Sequence, residues 1–119
     1  KSLSRELVNN NEKKIYAIVA DQSPTLEQSN VRLNFLNRDT LVYTGVEKIS
    51  KKYNMPVFYL NINNTRKGYY VSTFEEICRK DINGKNLEIT KEFFSKLENQ
   101  IKSEPRLWLW SHKRWKHTN

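Results

Sequence analysis

The 119-residue chain has room for one domain around a single modest core. Its one cysteine, Cys78, excludes an internal disulfide framework and a cysteine-based zinc site, and no run approaches the roughly 18 consecutive apolar residues that span a bilayer. A formal net charge of +8 favours a polyanionic partner (nucleic acid, anionic lipid, a phosphorylated substrate or an acidic carrier protein) without choosing among them.

In chain order, Ser4 to Lys14 reads as a short polar helix. The unbroken apolar run Ile15 to Ala20 predicts a buried central strand, ending in the polar turn Asp21-Gln22-Ser23-Pro24-Thr25. Such strand exits are where open α/β sheets place ligands. Residues 26–34 lack a period and read as loop, and Phe35 to Arg38 as a short strand or edge segment. Thr44 is the expected N-cap of a helix over 45–53, with Val46, Ile49 and Tyr53 on one stripe and Asn54-Met55-Pro56 ending it. Val57 to Ile62 and Tyr69 to Phe74 predict two strands joined as a hairpin through the turn at 63–68. Residues 81–86 form a loop. A helix over 90–102 presents Phe93, Phe94, Leu97 and Ile101 on one side, and Pro105 stops it. The fold class is therefore α/β: a mixed β-sheet from strands near 15–20, 57–62 and 69–74, flanked by helices, in a single unit over 1–119.

Four segments then converge. Ala20-Asp21-Gln22 follows the apolar run, Phe35-Leu36-Asn37 precedes Thr44-Gly45, and Met55-Pro56-Val57 opens a strand. The chain closes with Pro105-x-x-Trp108-Leu109-Trp110-x-His112-Lys113-Arg114-Trp115-Lys116. In this order they resemble the C-terminal part of the bacterial lipid A biosynthesis acyltransferases, within the lysophospholipid acyltransferase superfamily, from about Leu7 to Lys116. The resemblance implies an enzyme at the cytoplasmic face of the bacterial inner membrane. It would move a fatty acyl group from acyl carrier protein to a hydroxyl of a lipid A precursor, without cofactor or metal. It also implies a glycerolipid-acyltransferase-like fold.

The superfamily's chemistry uses a His-x4-Asp or His-x4-Glu dyad, whose imidazole is general base toward the accepting hydroxyl. The histidines here are His112 and His117, and neither has a carboxylate five positions on. The resemblance implies that the dyad precedes these residues, so the chain alone is expected to be inactive. It is expected to leave a sheet edge and an apolar face uncovered, with homodimerisation as the consequence.

For substrate binding the resemblance points to Asp21 and Gln22, with Arg38 and Arg66 as guanidinium partners for phosphate or carrier protein. Both arginines lie beside turns, where solvated arginine is commonplace. Trp110, His112, Lys113, Arg114 and Lys116 suit a membrane or carrier-protein surface, while packing is the expected work of at least one tryptophan. A nucleic-acid reading of the closing segment fails: Lys113 stands where a homeodomain needs asparagine, and the upstream segments are strands. Cys78 has no histidine near it in sequence to make it a nucleophile. A non-catalytic module that binds anionic lipid or an acidic protein stays open as the alternative.

Overall fold

The computed structural model describes residues 12–77 and 83–117. Its elements run β1 (Arg32–Phe35), β2 (Arg38–Leu41), α1 (Gly45–Tyr53), β3 (Val57–Arg66), β4 (Tyr69–Ile77), α2 (Glu88–Ser103) and a 3-10 turn at Pro105–Leu107. The α/β class expected from the sequence is what the structure shows: two small antiparallel sheets, β1–β2 and β3–β4, with two helices.

The helix α2 organises both sheets because its apolar stripe is wide. Phe94 and Ile101 pack with Phe35 and Val42 on the β1–β2 side, while Ile89 packs with Tyr59 and Ile77 on the β3–β4 side. Phe93 and Leu97 touch both clusters. Edge-to-face contacts of Phe94 with Phe35 (centroids 5.2 Å apart) and of Phe93 with Tyr59 (5.6 Å) fix the two interfaces.

The shorter helix α1 anchors the start of α2. Glu47 is buried, and its Oε2 accepts hydrogen bonds from the Thr90 backbone N–H and hydroxyl at 3.1 and 2.6 Å. That N–H belongs to the first turn of α2, where helical donors have no partner within the helix and negative charge is favoured. Lys51, one turn after Glu47, lies 3.0 Å from Oε1 and donates to the carbonyls of Gly84 and Asn86. Asn54 ends α1 in the left-handed region, and Ser50 reaches across to the Met55 carbonyl. Thr44 occupies the N-cap position and is buried, but its side chain makes no cap hydrogen bond.

The apolar run at 15–20 does not form a strand. A ladder needs a neighbour to satisfy its N–H and C=O groups, and here β3 and β4 pair with each other. The run is left without a ladder, with Ile15 95% and Val19 69% exposed while Ala20 is buried. Conversely, β1 and β2 arise where loop was expected over 26–34 and one short strand or edge segment over Phe35 to Arg38, whose middle residues form the turn instead. Their turn places both Leu36 and Asn37 at positive φ (52° and 58°), as a primed hairpin turn requires. The helix expected over Ser4 to Lys14 lies outside the described residues except for 12–14, which are not helical, and Cys78 also lies outside them.

Candidate functional site

The closing segment folds back because its aromatic side chains find the α2–β1 core. After the turn at Pro105, Trp108 packs on Phe35 with centroids 5.4 Å apart. Trp115 stacks on the same ring from 6.5 Å and donates its indole N–H to the Thr40 hydroxyl at 2.8 Å. Trp110 remains 58% exposed and donates to the Pro105 carbonyl. Trp108 and Trp115 therefore pack on the core, and Trp110 stacks on Trp108 with centroids 5.7 Å apart while remaining exposed.

Between those anchors lie His112 and Arg114, against the loop that follows Ala20. The Ser23 backbone N–H donates to His112 Nε2 at 3.0 Å. Accepting through Nε2 places the imidazole proton on Nδ1 and occupies the nitrogen a general base would use. Arg114 is only 2% exposed, and none of its three guanidinium nitrogens has a hydrogen-bond partner. Its guanidinium carbon lies 5.5 Å from the centre of the Phe94 ring. Burial pulls the Arg114 pKa down to about 10, and the charge of Asp21 opposes that pull. The same carboxylate acts on Tyr59, whose pKa is pushed up to about 12 by burial first, then by Glu75 and Asp21.

The structure thus gathers some of the residues singled out from sequence and not others. Asp21 lies within electrostatic reach of Arg114, in the loop that Ser23 fastens to His112. Arg38 sits over the Trp115 ring at 4.7 Å, so it borders the closing segment. Gln22, Lys113 and Lys116 are exposed. Arg66 lies at the β3–β4 turn with its guanidinium 3.8 Å from the centre of the Tyr69 ring, and makes no contact with Asp21. Arg114, grouped in sequence with surface cations, is instead buried, at the start of the turn over 114–117 and over the Phe94 ring. Sequence reasoning passed over Glu47 and Tyr59. The Glu47–Lys51 spacing was the available signal for the first, since residues four apart share a helix face.

A groove of about 410 Å³ between β1 and α2 is lined by Leu33, Asn34, Lys91, Phe94, Ser95 and Glu98, none of them among the candidate residues. No helix among the described residues is long and apolar enough to cross a membrane. The family model described as bacterial lipid A biosynthesis acyltransferase matches residues 1–117. The chain belongs to the bacterial lipid A biosynthesis acyltransferase family. No curated protein matches the chain, and no solved structure does. In this lipid A acyltransferase chain, then, the segment with the most distinctive sequence is also the one that closes over the Asp21–Ser23 loop.

Proposed function

We propose that these residues form the acceptor side of an acyltransferase that moves a fatty acyl group from acyl carrier protein to a hydroxyl of a lipid A precursor. The observation that carries the reading is the convergence of Asp21, His112 and Arg114 at one junction within a chain of this family. Asp21 is only partly buried and offers an acceptor for a sugar hydroxyl, with exposed Gln22 beside it. Arg38, exposed on β2, is available to a phosphate. Arg66, at the β3–β4 turn and stacked on Tyr69, is a further cation offered to phosphate.

The reaction needs a base for the accepting hydroxyl, and His112 is committed to Ser23. We place the base, as the family resemblance implies, in a His-x4-Asp or His-x4-Glu pair upstream of these residues; on that reading the 119 residues alone do not turn over. Exposed Trp110, with Lys113 and Lys116 exposed nearby, suits the cytoplasmic face of the inner membrane or an acidic carrier protein.

The missing dyad also supports a second reading, a non-catalytic module that holds anionic lipid or an acidic protein. Acyl transfer measured with and without the upstream sequence separates the two.

A further inference from the structure

A backbone amide can only donate, so the bond between Ser23 and His112 fixes the state of the imidazole as well as its place. At 3.0 Å from the Ser23 nitrogen, His112 Nε2 is the acceptor, and it accepts only while that nitrogen carries no proton. An imidazolium donates from both nitrogens and has nothing to offer the amide. Histidine is also the side chain whose charge ordinarily changes between about pH 5 and 8.

The loop that Ser23 belongs to is lightly held. Residues 13–20, which lead into it, run without a strand ladder. Pro24 is buried, whereas Gln22 and Thr25 are exposed. The turn that follows is closed on itself, by bonds between Thr25 and Gln28 and from Ser29 back to Thr25. The bond to His112 thus ties a segment with few restraints of its own to a segment anchored by two tryptophans.

The charges around His112 come from several elements. Lys113 and Arg114 follow it in the closing segment, and Arg114 is buried over the Phe94 ring of α2 with three unpartnered nitrogens. The loop supplies Asp21, whose charge acts on Arg114 and on Tyr59 of β3, and Tyr59 is neutral in this range because its pKa is pushed up to about 12. A proton added to His112 therefore breaks the bond to Ser23 and puts a third positive charge beside two others. Asp21 and Arg114, meanwhile, feel each other without a hydrogen bond between them.

We propose that the loop over 21–25 is a strap gated by the protonation of His112: the neutral imidazole holds it through Ser23, and the imidazolium releases it. Released, the strap carries the Asp21 carboxylate onto the unpartnered guanidinium of Arg114 and takes it away from solvent. The gate rests on the hydrogen bond and its surroundings, not on the acyltransferase reading.

The test is nuclear magnetic resonance of the 15N-labelled chain at about pH 7.5 and about pH 5, on either side of ordinary histidine titration. At the higher pH the imidazole nitrogen shifts should put the His112 proton on Nδ1. Protection of the Ser23 amide from hydrogen exchange, corrected for the intrinsic effect of pH, should fall about tenfold at the lower pH. The amides of α2 should keep their protection. His112→Gln and His112→Phe, neither of which titrates, should abolish the pH step at Ser23. A proton on Nε2 at pH 7.5 overturns the proposal, and so does Ser23 protection that does not fall. A fall shared by α2, or one of wild-type size in either variant, overturns it as well.

Discussion

The Ser23 backbone N–H and His112 Nε2, 89 positions apart in sequence, are joined by a hydrogen bond of 3.0 Å. It is the direct fastening between the loop after the first apolar run and the closing segment. Its partly buried setting means the donor has no easy recourse to water when the imidazole is removed. His112→Ala is expected to cost about 1–2 kcal/mol in urea unfolding, the range for leaving one such group unsatisfied. An unchanged midpoint would show that the loop does not depend on this bond.

Arg114 inverts the usual expectation for a charged side chain. It is buried with three unsatisfied nitrogens, and Asp21 is the charge that opposes its desolvation. Arg114→Met should therefore be neutral or stabilising, by up to about 3 kcal/mol, because it exchanges an unsatisfied cation for an apolar chain of similar reach. Asp21→Asn should destabilise the wild type and lose that effect in the Arg114→Met background. Additive effects in the double variant would mean that the two residues do not interact.

Tyr59 gives the fold a dependence on alkaline pH. Its hydroxyl donates to Gln100 on α2, and its folded pKa of about 12 lies above the ordinary value of 10.0. The unfolded chain ionises first, so this contribution is complete below pH 10 and is lost as the pH rises from 10 to 12. Arg114 runs the other way across the same range, since its folded pKa of about 10 lies below the ordinary 12.5. The comparison that isolates Tyr59 is thus wild type against Tyr59→Phe. The stability difference between them should fall by about 2 kcal/mol between pH 10 and 12. A difference that stays constant across that range would contradict the assignment.

Helices and long strands were legible from sequence because their periods run over many residues. The helix over 45–53 appears where expected and α2 begins two residues earlier, at Glu88; the hairpin strands start where expected but run on to Arg66 and Ile77, so the turn expected over 63–68 shrinks to Lys67-Gly68. The hairpin β1–β2 was not legible: four-residue strands carry too little alternation, and leucine at positive φ leaves no signature beyond Asn37 beside it. The run at 15–20 misled for the opposite reason. Apolarity and length mark a strand, but a strand exists only where another supplies its ladder. At the site, composition placed Asp21 and the closing segment without showing that they meet. The inward turn that buries Arg114 follows from Phe35 accepting two indole rings, a tertiary fact that local sequence does not carry.

The decisive measurement is acyl transfer from acyl carrier protein to a lipid A precursor, run on the 119 residues and on a polypeptide that includes the upstream coding sequence. Turnover is expected from the longer polypeptide, abolished when an upstream histidine followed five positions later by aspartate or glutamate is replaced by alanine, and none from the 119 residues alone. Turnover by the 119 residues alone would contradict that expectation, as would an upstream sequence with no such pair.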